Sequence, residues 1–441
     1  MSTTTLTPLP LYDEPSLVGL HAPVHEVRRP SLWKRLLGFV GPGFLIAVGY
    51  MDPGNWATDI AGGARFGYTL LSVIMISNLM AILLQSLSLK LGIATGRDLA
   101  QLSHDEFGRK TNLALWLGAE ISIAACDLAE VIGSAIALQL LFGIPLLMGV
   151  VLTAADVLAL LAMERLGFRK IESLVMVLIA TIVILFAIQL MMLRPDVAPA
   201  LANLLIPSRE IVRTPGMMLL AVGILGATVM PHNLYLHSSL VQSRVTDHSS
   251  EGKREAIRMG NLDSAAALTV ALFVNAAILM VAAAAFHRTG HYEVAAIADA
   301  YKLLSPIVGT AGASTIFAVA LLASGQNSSL TGTIAGQVVM EGHVSLRVAP
   351  WLRRLITRGL AIVPAIVVVA LTGEAGSEKL LILSQVVLSI QLGFAVVPLV
   401  RFTSNKRIMG EFVNGRLMKA AAWSVTVVIV GLNAWMLVTM I

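Results

Sequence analysis

The chain has 441 residues, 56% of them hydrophobic and only 13% charged, with a formal net charge of +5 and one cysteine; its mean hydropathy is +0.81. A soluble domain carries about 25% charged residues, and half that cannot cover the surface of a soluble chain this long. The composition therefore excludes a disordered chain, a coiled coil and an ordinary cytosolic enzyme, and points to a polytopic membrane protein whose apolar exterior faces lipid.

In chain order, residues 1–35 are polar and rich in Thr and Pro. They lack the basic and apolar regions of a secretory signal, and read as a disordered cytoplasmic tail. Beyond them, apolar runs predict eleven spans at roughly 37–64, 68–93, 112–141, 145–163, 171–193, 214–241, 262–286, 308–338, 354–372, 378–400 and 419–440. A crossing helix needs about 20 apolar residues, and runs this continuous do not suit barrel strands. With the N-terminus inside, 24 of the 31 Lys and Arg fall on the cytoplasmic side and seven outside, as the positive-inside rule requires. The net charge thus reports topology rather than an acidic or nucleic-acid partner.

Span 1 contains Asp52-Pro53-Gly54-Asn55 and span 6 contains Met230-Pro231-His232-Asn233, the prolines 178 residues apart. Pro lacks an N–H and Gly is a poor helix former, so both helices should break at mid-depth. Five spans separate their starts, so the two halves have inverted topology. Paired breaks of this kind point to a transport site; two independent proline kinks are the plainer alternative. Asp52 offers an anionic oxygen, Asn55 an amide oxygen, and Met230 a thioether. Unwinding frees carbonyls near Gly49 and Ala227. Oxygens with one soft sulfur suit a transition-metal cation better than Mg²⁺ or Ca²⁺.

Span 3 places Glu120, Asp127 and Glu130 on one helix face. Carboxylates inside a membrane helix must be paired, hydrated or protonated, so proton carriage is open to them, as it is to His232. Arg353 and Arg354 at the start of span 9 pair with these acids, line a cytoplasmic exit, or serve as anchors. His237 has an ambiguous face. Asn78, Gln85, Asn275, Gln326 and Asn327 link helices or line the path, and Gln385 links helices or offers a further oxygen ligand. Cys126 reads as a small buried hydrophobe, and Asp156 has no evident partner. No phosphate-binding Gly-rich loop ending in Lys and no zinc-ligand spacing occurs, so transport must run on an ion gradient or the membrane potential.

With Gly41-Pro42-Gly43-Phe44, Asp127-Leu128-Ala129-Glu130, Gly226-Ala227-Thr228 and Gly336-Gln337-Val338-Val339-Met340, the two broken-helix motifs carry a resemblance. From about Leu36 to its end, the chain resembles the natural-resistance-associated macrophage protein (Nramp) family, most closely its bacterial proton-coupled manganese transporters. The resemblance implies an all-α, leucine-transporter-like fold. Two inverted five-helix repeats (about 37–193 and 214–400) would be followed by an eleventh helix at about 419–440. It implies a non-enzymatic importer of Mn²⁺, with Fe²⁺ and Cd²⁺ also carried, needing no cofactor and no obligate protein partner. Its place would be the bacterial plasma (inner) membrane, N-terminus cytoplasmic and C-terminus outside. It assigns metal binding to Asp52, Asn55, Met230 and the Ala227 carbonyl, joined by Gly49 and Gln385. It ties His232, Asp127 and Glu130 to proton movement, continued by Glu120, Arg353 and Arg354. A Mg²⁺-carrying branch lacks the methionine that Met230 supplies. The rival readings are a cation-coupled amino-acid symporter of the same fold, and a membrane sensor or channel.

Overall fold

The computed structural model describes residues 41–155, 168–245, 247–294, 296–309, 312–346 and 348–440. The predicted tail, Asp156 and the second half of span 4 lie outside these residues. Every regular element among them is helical. Span 1 is two helices, α1 (Pro42–Gly49) and α2 (Pro53–Phe66). There follow α3 (Leu71–Thr95), a short α4 (Leu99–Glu106), α5 (Arg109–Phe142), α6 (Leu146–Leu152), α7 (Phe168–Leu193) and α8 (Val197–Leu205). Span 6 is also divided, into α9 (Met217–Thr228) and α10 (Pro231–Leu240). The remainder is α11 (Ser250–Ala282), α12 (Ile297–Val308), α13 (Gly312–Val344), α14 (Pro350–Thr372), α15 (Glu374–Thr403) and α16 (Arg416–Met440). The end of the bundle at which α1 begins is called the inner side.

Among the described residues, eight helical stretches are long and apolar enough to cross a membrane. α13 is not among them. Its middle reads Gln326-Asn327-Ser328-Ser329, and Asn327, Ser328 and Ser329 are buried, so its polarity faces protein rather than lipid. Several helices begin before their apolar runs do. α11 starts at Ser250 rather than near 262 because the Ser249 hydroxyl accepts the Gly252 N–H, satisfying a first-turn donor. α14 starts at Pro350 in place of 354, with proline in the first turn where its missing N–H costs nothing.

α5 packs against α13, α14 and α15, and the two divided helices lie beside this group. Trp56 on α2 is fully buried, its ring edge-on to Phe186 and Phe317 at 4.9 and 5.2 Å, and its indole N–H donates to the Met51 carbonyl at 3.2 Å. The inner end of α1 is held by one hydrogen bond and begins against a buried ion pair. The Gly43 N–H donates to Asp263 Oδ2 at 2.8 Å. Arg244 pairs with Glu172, both buried, and a Cβ on Gly41 would lie 2.4 Å from that carboxylate. On the outer side a cavity of about 130 Å³ reaches down to Ala57 and is lined by Gln139, Asp299, Ser377 and Glu378 among others.

Candidate metal centre

The two breaks have one chemical origin. A helical carbonyl accepts from the N–H four residues on. For Gly49 that residue is Pro53, and for Ala227 it is Pro231, neither of which has an N–H. Both carbonyls are therefore released from their own helices. The Asp52 carboxylate caps α2: Oδ1 accepts the Asn55 backbone N–H at 2.9 Å and the Asn55 amide N–H at 2.8 Å. The same Asn55 amide nitrogen donates to the Ala227 carbonyl at 3.1 Å, joining one break to the other across 172 residues of sequence. Both hydrogens of the Asn55 amide are thereby engaged. Asp52 Oδ2 is buried with no hydrogen-bond partner among the described residues.

Met230 occupies the cap position of α10 without capping it. Fully buried, it clusters with Cys126 and Leu388, so the thioether sits between the break and an apolar wall. Gln385 on α15 is also fully buried; its amide donates to Ser384 Oγ at 3.0 Å while Oε1 has no partner among the described residues. It lies so close to the first break that a Cβ on Gly54 would fall 1.7 Å from its nitrogen. Gly133 of α5 is equally crowded, a Cβ there meeting Pro53 at 2.2 Å. Gly49 faces the Asn233 side chain. The structure thus brings Asp52, Asn55, Ala227, Met230, Gly49 and Gln385 to the two breaks. Among the described residues, no group of three or more His, Cys, Asp or Glu side chains could hold a metal. A set with one anion, amide and carbonyl oxygens and one sulfur suits an ion that must leave again.

Beside the breaks runs a ladder of ion pairs between α5 and α14. Arg354 donates to Asp127 at 2.6 Å and lies 3.5 Å from Glu130. Arg353 donates to both Glu120 oxygens at 2.9 and 2.8 Å. The reading of the arginines as partners of the span-3 acids is the one the geometry supports. Sequence reasoning missed the third rung. Arg358, among the largest fully buried side chains, lies 3.7 Å from Glu130 and donates to the Asp127 carbonyl at 3.3 Å. Its signal was present: it follows Arg354 by four residues, hence on one face. Ser328 donates to Glu130 at 2.9 Å, and Ser329 accepts from Arg358 at 2.5 Å. Three carboxyl groups of α5 thus face three guanidinium groups of α14.

His232 is buried one residue into α10, its Nδ1 without a partner among the described residues. His237 turns elsewhere: its Nδ1–H donates to Gln85 Oε1 at 2.9 Å, whose amide donates to the Tyr50 hydroxyl at 2.7 Å. Asn275 donates to the Tyr50 carbonyl at 2.8 Å, and Asn327 to the Val175 carbonyl at 3.5 Å. These amides link helices. Asn78 is buried as well. Cys126 is a buried free thiol, 3.6 Å from Glu130 Oε1.

A model of the natural resistance-associated macrophage protein-like family matches residues 43–439. A protein of Nostoc sp. named divalent metal cation transporter MntH is 58% identical over 428 residues, covering 97% of each chain. A crystal structure of the manganese transporter of Eremococcus coleocola superposes with a TM-score of 0.89 at 42% identity, covering 95% of this chain and 90% of that one. Mhp1, a nucleobase-cation-symport-1 family transporter, matches with a TM-score of 0.60 at 14% identity, a likeness of fold alone. The architecture is the expected leucine-transporter-like one.

Proposed function

The chain belongs to the natural resistance-associated macrophage protein (Nramp) family, and from that premise we propose that it imports divalent transition-metal ions, chiefly Mn²⁺, across the bacterial plasma membrane. Fe²⁺ and Cd²⁺ are further cargo, and protons move with the metal. The observation that carries this reading is the meeting of Asp52, Asn55, Met230 and two proline-released carbonyls at facing helix breaks. That donor set is anionic enough to draw a divalent cation from water and soft enough to prefer a transition metal.

The cargo enters from the outer cavity past Asp299 and Glu378, sheds water, and meets Asp52 Oδ2, the Asn55 oxygen, the Met230 sulfur and the Ala227 carbonyl. Gly49 and Gln385 join as the half-helices move. Inward release requires α1 to leave Asp263, which opens the inner path while α2 closes the outer one. Asp52 and His232 pass the proton towards Asp127 and Glu130, and Glu120, Arg353 and Arg354 carry the polar track to the cytoplasmic face. The relatives are named as transporters, and no catalytic chemistry is needed. The Lys and Arg distribution supports a cytoplasmic N-terminus and an outer C-terminus.

The test is uptake by proteoliposomes across a panel of metals, with a pH dye inside. Mn²⁺ uptake accompanied by internal acidification is expected, with Fe²⁺ and Cd²⁺ competing and Mg²⁺ not. Metal uptake without acidification would remove proton coupling. Uptake of a labelled amino acid, unaffected by metal, would favour the symporter reading instead.

A further inference from the structure

Outside the transport path, the bundle carries an apolar groove of about 480 Å³ between α5, α15 and α16, lined by Phe107, Leu115, Gly393, Phe394 and Leu437 among others. Its floor is recessed at Gly393, where an added Cβ would only just touch Val430 at 3.4 Å. Its α16 wall is held in place by polar bonds, Ser389 donating to Asn433 Oδ1 at 2.8 Å and Asn433 to the Ser389 carbonyl at 2.5 Å. From Ile390 to Pro398, α15 lines the groove over about 12 Å of helix, close to the roughly 15 Å depth of one hydrocarbon leaflet.

Charge marks one end of this groove. At its inner mouth the Arg401 guanidinium stacks over the Phe107 ring, 5.2 Å from the centroid. Arg109 and Lys110, two and three residues beyond Phe107, are exposed. The neighbouring carboxylates are already engaged, Glu106 by Arg407 at 2.7 Å and Asp105 by Arg97. Among the described residues no acid pairs with Arg401, Arg109 or Lys110. Lipid is as apolar as the groove wall, so burial alone selects nothing there; selection must come from packing depth and from the cations at the mouth. A basic pocket between helices at the cytoplasmic surface suits a phospholipid headgroup.

We infer that this groove binds one anionic phospholipid, with an acyl chain between α5, α15 and α16 and its phosphate on Arg401, Arg109 and Lys110. The lipid fastens α16, which packs mainly on α15, to the helix that carries the ion-pair ladder.

The experiment measures the melting temperature of the purified full chain in neutral detergent. Phosphatidylglycerol, phosphatidylcholine with identical chains, and glycerol phosphate are added separately. Phosphatidylglycerol should raise the midpoint by about 2–8 °C, while the other two leave it unchanged. Arg401→Gln, an exposed site outside the transport path, should lose most of the shift. Gly393→Leu, which fills the recess, should abolish it. Lipid extracted from each purified variant and quantified by mass spectrometry supplies an independent reading, with less phosphatidylglycerol per chain expected in Arg401→Gln. Equal shifts with the two lipids, a shift with glycerol phosphate alone, or an Arg401→Gln chain that binds like the wild type would each overturn the proposal.

Discussion

Asp52→Asn separates the two tasks of one side chain. Oδ1 caps α2 and holds the Asn55 amide, whereas Oδ2 has no partner among the described residues. An asparagine keeps an oxygen for the cap and loses the charge. Cap removal by alanine costs about 1 kcal/mol; the asparagine retains most of that, so its melting temperature should stay near the wild-type value. Metal binding should respond differently. Replacing even an outer-shell partner of a metal ligand costs about 10–100-fold in affinity. Removing the one formal charge among Asp52, Asn55, Met230 and the freed carbonyls should therefore cost at least about 100-fold, or ~2.7 kcal/mol. Radiolabelled Mn²⁺ uptake in proteoliposomes should fall to background, with calorimetry giving the affinity and differential scanning fluorimetry the stability. An Asp52→Asn chain that is stable and transports Mn²⁺ at the wild-type rate would refute the assignment. One that unfolds would show that Oδ2 has a structural role instead.

Met230→Ala should keep Mn²⁺ uptake but allow Ca²⁺ or Mg²⁺ to compete, because only hard oxygen ligands remain; unchanged competition would remove the thioether as the selecting group. Arg354→Gln leaves Asp127 and Glu130 short of a buried counter-charge and should destabilise the chain by about 3–5 kcal/mol. The double variant Arg354→Gln/Asp127→Asn should recover part of that melting temperature. Asp98 caps α4 on the inner side, and burial pushes its carboxyl up to about 7 against hydrogen bonds from the Gln101 and Ala100 backbone. Between about pH 4 and pH 7 the folded chain keeps a proton that the unfolded chain has released, so stability falls as pH rises through that window and levels off above it, by at most about 1.4 kcal/mol per pH unit. Asp98→Asn should flatten this portion of the melting-temperature profile; superimposable profiles would count against a buried carboxyl there.

The helix breaks were legible because proline acts locally: Pro53 and Pro231 remove particular N–H groups, and the carbonyls they release follow by counting back four residues. The span-3 acids were legible for a similar reason, since helical periodicity puts 120, 127 and 130 on one face. Contacts between distant segments were harder to read. Arg358 looks in sequence like one more positive charge near a helix end, because its burial depends on α14 lying against α5. Glu172 and Arg244 are 72 residues apart in sequence, and each alone resembles an ordinary charge near a helix end. Gly54 and Gly133 likewise look like neutral membrane glycines until Gln385 and Pro53 are found against them. Helix starts lie ahead of the apolar run wherever a polar cap, as at Ser249, extends the helix.

Any departure of α1 from α11 breaks the Gly43–Asp263 bond and admits water to the Glu172–Arg244 pair. A pair worth keeping in a dry interior is worth only about 0–1 kcal/mol once wet, and mobile ions screen it over about 8 Å at physiological strength. The open state of the inner side is thus the one that feels the surrounding electrolyte, while the closed state is insulated from it. On the proposed mechanism, the salt on the inner side becomes one of the weights on the conformational balance.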